Sequence, residues 1–223
     1  ATMPAENTEH TAQWAVVEYI ITYDLDGGEN DVSNPTVYTI ESEKITLVAA
    51  TKTGYSFVGW YDAESGGNQV TEIAQGSIGD KDLYARFEIN QYTITYKVDG
   101  AIYGAVESYD YGSAITLNAA PTKEGHTFSG WDPSTLPATM PAEDLVVEGT
   151  FTVNQYTISF NSAGGSAVGS ITQDYGTAVT APTDPTRDGY TFDGWAPVLP
   201  ATMPAENKEH TAQWAVVEYI ITY

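Results

Sequence analysis

The chain contains no cysteine. Disulfide staples, Cys-ligated metals and thiol nucleophiles are excluded together, and the redox compartment stays open. Positive charge is scarce. Only 8 Lys and Arg stand against 30 Asp and Glu in 223 residues, a formal net charge of -22. No surface can then neutralise a phosphate backbone, so no nucleic acid is expected as a partner, and anionic membrane surfaces are disfavoured. No apolar run reaches membrane-spanning length and nothing reads as a signal peptide, so no direct membrane insertion is expected for this segment. Neither absence describes a longer parent protein. A sustained 3.6-residue hydrophobic period is also missing. The best helical candidates are short, at 64–77 and in the TMPAE turns at 139–143 and 202–206.

What is present is repetition. The first 23 residues return as the last 23 at an offset of 200, differing only at Thr8 against Lys208. Within that superperiod a strand-like pentapeptide recurs, YIITY at 19–23, YTITY at 92–96, YTISF at 156–160 and YIITY at 219–223. A closing aromatic keeps the same spacing at Trp14, Phe87, Phe151 and Trp214. Between the two lies GYSFVGW at 54–60, GHTFSGW at 125–131 and GYTFDGW at 189–195. Three markers in constant order define tandem repeats. The chain divides into the closing part of a preceding repeat (1–18), a long repeat 19–87 with an insert at 61–77, repeats 92–151 and 156–214, and an opening strand at 219–223. The joints EINQ, TVNQ and AVVE lack Gly and Pro and are poor flexible tethers.

Inside a repeat the period is two. Tyr92, Ile94 and Tyr96 share one face of a strand and Thr93 and Thr95 the other. Gly-rich turns follow at 25–28, 99–100 and 162–165, and Pro121, Pro182 and Pro185 favour a crossing outside the ladder. Each repeat therefore reads as a small, mostly-β (small α+β) domain of four or five strands with at most a stub of helix.

The opening Y-T-I-[TS]-[YF], the Gly-Gly turn, P-T-[KR]-x-G-[YH]-x-F-x-G-W and the final T-A-Q-W resemble the Listeria–Bacteroides repeat, found in the B repeats of internalin-like surface proteins. The strongest matches are Pro121, Thr122, Lys123, Gly125, Phe128, Gly130 and Trp131, with Pro185, Thr186, Arg187, Gly189, Phe192, Gly194 and Trp195 in the next repeat. The first repeat departs at Ala50, where the others carry proline, and the second at Asp99-Gly100. The resemblance implies tandem β-grasp-like (ubiquitin-like) domains on extracellular or cell-surface bacterial proteins, acting as stalks, spacers or adhesive segments. It brings no catalytic residues.

Candidate sites are few. Trp60, Trp131 and Trp195 each follow Gly59, Gly130 or Gly194 at a fixed place, which fits core or seam packing better than sugar stacking. The closing aromatics Trp14, Phe87, Phe151 and Trp214 exchange Trp for Phe, as volume filling allows. Asp24, Asp26, Glu29 and Asp31 form the one acidic turn with enough oxygens for calcium, but the spacing is not that of an EF-hand. The other two repeats lack the cluster, so a solvated acidic turn is the simpler reading, and no cofactor is expected. His10 and His210 are one position in successive periods, and His126 stands where Tyr55 and Tyr190 stand, so no catalytic constellation repeats. Lys52 and Lys123 share a place that Arg187 fills in the third repeat; arginine cannot form an isopeptide bond.

These features lead to a non-enzymatic structural region, a semi-rigid acidic stalk or fibre whose partners are adjacent repeats of the same chain. Two alternatives compete. One is an adhesin that binds a host protein or glycan through strand edges or the 61–77 insert. The other is assembly of like chains head to tail into a filament by strand addition.

Overall fold

A computed structural model describes residue 9 and residues 11–221. The first repeat carries β1 (Glu18–Asp24), β2 (Val37–Thr39), β3 (Ile45–Thr46), β4 (Tyr55–Tyr61), β5 (Gln69–Val70), β6 (Glu72–Ile73) and β7 (Lys81–Ile89). The second carries β8 (Gln91–Val98), β9 (Ala101–Ile102), β10 (Glu107–Asp110), β11 (His126–Phe128), β12 (Leu145–Gly149) and β13 (Phe151–Val153). The third carries β14 (Gln155–Asn161), β15 (Ile171–Asp174), β16 (Tyr190–Ala196) and β17 (Lys208–Val216). Two compact units emerge. One comprises Ala1–Thr93, Ser108–Ile115 and Pro137–Asp144; the other comprises Ile94–Glu107, Thr116–Leu136 and Leu145–Tyr223.

In the first unit the sheet of the first repeat runs β2-β1-β7-β4-β5. Its centre is a parallel pair, Ile21–Asp24 of β1 against Lys81–Tyr84 of β7, flanked by antiparallel β2 and β4. Strands one and last of a repeat thus lie side by side, and the chain between them must cross over the sheet. The alternation read from the sequence sends Ile21, Leu83 and Ala85 inward, where they join Tyr38, Ala50, Trp60 and Ile73 in one core.

In the second unit the third repeat follows the same plan, β15-β14-β17-β16, with Ile158–Asn161 parallel to Lys208–Thr211. Ile94–Val98 of β8 pair in parallel with Leu145–Gly149 of β12, and β11 pairs antiparallel with β13. Ile94, Val147 and Ile158 are fully buried on these central strands.

The glycine before each tryptophan has a structural purpose. Trp60 follows Phe57 at an offset of three, a spacing that would put the two rings on opposite faces of a regular strand. The β4–β7 register shifts between Phe57 and Gly59, and the β16–β17 register between Phe192 and Trp195. Each irregularity returns the tryptophan to the face of the phenylalanine. The rings then meet edge to face, at 5.5 Å for Phe57–Trp60, 4.9 Å for Phe128–Trp131 and 5.2 Å for Phe192–Trp195.

The helical stubs expected at 64–77, 139–143 and 202–206 do not form; no helix occurs among the described residues. In the first of these stretches Gly66, Gly67 and Gly76 take left-handed backbone, with φ of 68°, 71° and 82°, and β5 and β6 form instead. The other two are single turns around Pro141 and Pro204, held by isolated bridges at Thr139 and Thr202. They are too short to nucleate a helix. In the flanking segments, residues 11–17 and 217–221 carry no strand. The remainder of 219–223 and residues 1–8 and 10 lie outside the described residues.

Candidate functional site

The most regular feature of the chain is the junction between repeats. The closing and opening strands are separated by one residue. β7 ends at Ile89 and β8 begins at Gln91; β13 ends at Val153 and β14 begins at Gln155. Asn90 donates its N–H to the Gly54 carbonyl at 2.9 Å, and Tyr111 donates its N–H to the Asn90 carbonyl at 2.9 Å. Asn154 does the same to Gly125 at 2.8 Å, and Tyr175 to Asn154 at 2.9 Å. The asparagine side chain is fixed as well, accepting from Ser56 Oγ at 2.5 Å in one junction and from Thr127 Oγ1 at 2.6 Å in the other.

These bonds lay a tyrosine of one repeat over a glycine of the repeat before it. A β-carbon on Gly54 would come within 2.1 Å of the Tyr111 ring, and one on Gly125 within 2.2 Å of the Tyr175 ring. Both glycines have left-handed φ, 79° and 67°, so two independent requirements select the same residue. The tyrosine then meets the next residue edge-on: Tyr55–Tyr111 at 5.9 Å and 76°, His126–Tyr175 at 6.0 Å and 77°. His126 therefore fills an aromatic place in a junction, and its Nδ1 lies 2.8 Å from the Glu124 carbonyl oxygen. The carboxylate of Glu124 also pushes up the phenol pKa of Tyr175.

The shared cation site lies beside each junction. Lys52 Nζ sits 4.5 Å from the Tyr55 ring centre and 5.4 Å from that of Phe87, and Arg187 Cζ sits 3.9 Å from Tyr190 and 6.0 Å from Trp214. Lys123 Nζ is 5.6 Å from Phe151. Lys52 also donates to the Asp26 carbonyl at 2.6 Å and its carboxylate at 3.0 Å, and Arg187 donates to the Ala163 carbonyl at 3.2 Å. In the first and third repeats the cation thus ties the first turn to the closing aromatic. An open groove of about 720 Å³ adjoins the first junction, lined in part by Gly28, Thr51, Lys52, Tyr55 and Tyr111.

The three motif tryptophans are core residues. Trp60, Trp131 and Trp195 are buried, and the indoles of Trp60 and Trp131 donate to the carbonyls of Val48 and Asn118 at 2.8 and 2.9 Å. Trp214 donates to the Ser162 carbonyl at 3.0 Å. Trp14 differs: it is 90% exposed. Tyr23 is held against Trp60 with ring centres 5.0 Å apart, and burial pushes its pKa up to about 12.

The acidic turn is used residue by residue. Asp24 accepts from the N–H of Asp26 at 3.1 Å, Asp31 from the N–H of Ser33 at 2.8 Å, and Asp26 pairs with Lys52. Glu29 contributes backbone bonds to Thr51, at 2.8 and 2.9 Å. Among the described residues, no three His, Cys, Asp or Glu side chains gather as a metal site.

One of the histidines weighed in the sequence is a buried core group, which its sequence context did not reveal. His210 lies on β17, 1% exposed, with Nδ1 2.6 Å from the Pro197 carbonyl and no partner for Nε2. Register places it opposite Phe160, as Leu83 lies opposite Tyr23 and Val147 opposite Tyr96. Comparing those three positions would have revealed a histidine standing in an aliphatic core place. Its counterpart His10 lies outside the described residues.

The profile of the Listeria–Bacteroides repeat domain matches residues 19–86, 92–144 and 156–199. A protein described as a membrane protein of Evansella cellulosilytica is 29% identical over 95% of the chain and 34% of its own length. A second from that organism, described as a Gly-rich membrane protein, is 29% identical over 86% of the chain and 23% of its own length. Internalin H of Listeria monocytogenes is 34% identical over 61% of the chain and 25% of its own length. The chain therefore spans between 23% and 34% of the length of these relatives.

Proposed function

Because the chain belongs to the Listeria–Bacteroides repeat family, we propose that it is a non-enzymatic structural region of a bacterial cell-surface protein, an extracellular acidic stalk built on a 200-residue superperiod. The observation that carries this reading is the twice-repeated junction. One residue separates the strands, three hydrogen bonds hold it, and a tyrosine ring covers a glycine. A tether built this way restricts the angle between neighbours, as a spacer of fixed length requires. Net negative charge adds solubility and resists lateral collapse, within the reach that salt leaves it. The β-grasp-like reading of each repeat draws support from the parallel pairing of its first and last strands.

Limited proteolysis with NMR relaxation tests the stalk. Slow cleavage at 88–91 and 152–155 and a common tumbling time for all repeats are expected. Rapid cutting there, with repeats tumbling independently, would sink the reading. The denatured mass of the native material separates a long array from head-to-tail subunits of 24.0 kDa.

An adhesive reading rests on one feature of the first repeat. There the insert adds β5 at the sheet edge, a strand the other two sheets lack. Edge strands accept partner strands, and loops carry binding. A glycan array and host-protein pull-down, run with the native chain and with 61–77 shortened, decide it; equal capture by both removes the insert from consideration.

A further inference from the structure

The third repeat presents the same junction half-built. Val217 donates its N–H to the Gly189 carbonyl at 2.9 Å, as Asn90 and Asn154 do to Gly54 and Gly125. Gly189 has φ of 79°, the value found at Gly54. Yet nothing among the described residues lies within 4 Å of the position its β-carbon would take. Tyr190 follows it, half-buried, as Tyr55 follows Gly54 and His126 follows Gly125.

The matching element stands at the other end of the chain. Register pairs Glu18 with Thr39 on β1 and β2, and Gln155 with Asp174 on β14 and β15. The residue after Thr39 is thus the counterpart of Tyr175, and it is Ile40. The turn beyond confirms the alignment: Ser42 donates to Thr39 at 3.1 Å, Thr177 to Asp174 at 3.2 Å and Ser113 to Asp110 at 3.0 Å. Ile40 is 50% exposed, although it stands where Tyr111 and Tyr175 cover a glycine. The sequence AVVE precedes the opening strand at 15–18 and again at 215–218, so Val17 and Val217 both occupy the asparagine place.

We propose that Gly189 and Tyr190 form an open socket for Ile40 of a following copy of this period, making the boundary between periods an aliphatic junction unlike the two tyrosine junctions within it. The proposal rests on the tandem-array reading above. Its chemistry is that of the internal junctions with two replacements. A branched aliphatic side chain covers the glycine and the Tyr190 ring in place of an edge-on phenol. Valine replaces the asparagine whose side chain accepts from Ser56 or Thr127, and Thr191 in the third repeat turns its hydroxyl to the Ala215 carbonyl at 3.4 Å instead. Apolar contact is kept and the side-chain hydrogen bond is lost, so the boundary is the softest junction of each period.

The test is a polypeptide of two linked periods, residues 1–200 followed by 1–223, with carbon-13 labels on isoleucine methyls. Ile40→Val in each period in turn assigns the two Ile40 signals. The methyl of the second period's Ile40 is expected to shift upfield of the first and to show a nuclear Overhauser contact to Tyr190, with Tyr190→Ala abolishing the shift. Ile40→Tyr in the second period is expected to protect further from hydrogen exchange the amide of that period's Val17, which takes the place of Val217 against the first period's Gly189. Coincident methyl shifts without contact to Tyr190, or no added protection in Ile40→Tyr, would overturn the proposal. Native mass decides the array reading separately, because the linked chain joins the periods whatever their natural number.

Discussion

Tyr111 lies across the bare Cα of Gly54, close enough that a β-carbon there would come within 2.1 Å of its ring. The pair belongs to two repeats that are otherwise separated by Asn90 alone. Gly54→Ala therefore faces two costs, a left-handed φ of 79° and a displaced ring. Each is worth about 1 to 2 kcal/mol. We expect denaturant melts to show a loss of about 2 to 4 kcal/mol, reduced by about half in the Tyr111→Ala background, where only the backbone cost remains. A double-mutant cycle reads the difference directly; fully additive losses would dissociate the glycine from the ring. Gly125→Ala with Tyr175→Ala provides the second copy of the experiment.

The cation beside each junction should matter in proportion to its ring contacts. Arg187 lies 3.9 Å from the Tyr190 ring and reaches the Ala163 carbonyl at 3.2 Å, whereas Lys123 has one longer ring contact at 5.6 Å. Arg187→Ala is expected to cost about 1 to 2 kcal/mol and Lys123→Ala under about 1 kcal/mol, measured by urea titration. Arg187→Lys should keep part of the stability, because the charge stays over the ring while the planar fork is lost.

Much of this organisation was legible in the residues. The pentapeptides at 19, 92 and 156 lie on β1, β8 and β14, the closing aromatics Phe87, Phe151 and Trp214, though not Trp14, on β7, β13 and β17, and the motif tryptophans take core places. Those signals are local periodicity and recurrence. What they do not carry is pairing over distance. The parallel register of Ile21 with Lys81, or of Ile158 with Lys208, depends on the crossover and leaves no mark in either strand. Tyr111 and Tyr175 recur in a YG pair, but recurrence does not say that each covers a glycine of the previous repeat. The short stretches around Met140 and Met203 looked helical because Ala and Glu favour helices, while Pro and the Thr139 and Thr202 bridges set a turn. Carboxylate density at Asp24, Asp26, Glu29 and Asp31 is visible in the sequence, but spacing cannot show that Asp26 faces Lys52.

His210 offers a case where the native residue opposes stability. Its Nε2 is buried without a partner, at a place that Leu83 and Val147 fill in the other repeats. An orphaned buried polar atom costs about 1 to 3 kcal/mol. In His210→Leu the Pro197 carbonyl loses its 2.6 Å contact, but Pro197 is exposed and water can replace the donor. We expect His210→Leu to raise stability by about 1 kcal/mol, read from the thermal midpoint of the third repeat by NMR. A lower midpoint would mean that the contact with Pro197 outweighs the orphaned nitrogen.

The insert of the first repeat should loosen in acid. Asp62 accepts from the backbone N–H of Asn68 at 2.6 Å and from its side-chain amide at 3.2 Å. The backbone bond is the main cause of a carboxyl pKa held below the ordinary carboxylate range, with the side-chain bond adding to it. Arg86 closes the same loop from outside, donating to the Ala63 carbonyl at 3.0 Å and to that of Gly66. A folded-state pKa below the unfolded value means that this contribution is complete above the unfolded carboxylate pKa. It is lost as pH falls from there through the lowered folded value. Amide exchange at Asn68 is therefore expected to accelerate in that window, relative to the base rate at each pH, while the core amides of Leu83 and Ala85 stay protected. Asp62→Asn, which cannot titrate, should abolish the pH dependence at Asn68. Persistence of the same acid response in Asp62→Asn would assign it to another carboxylate.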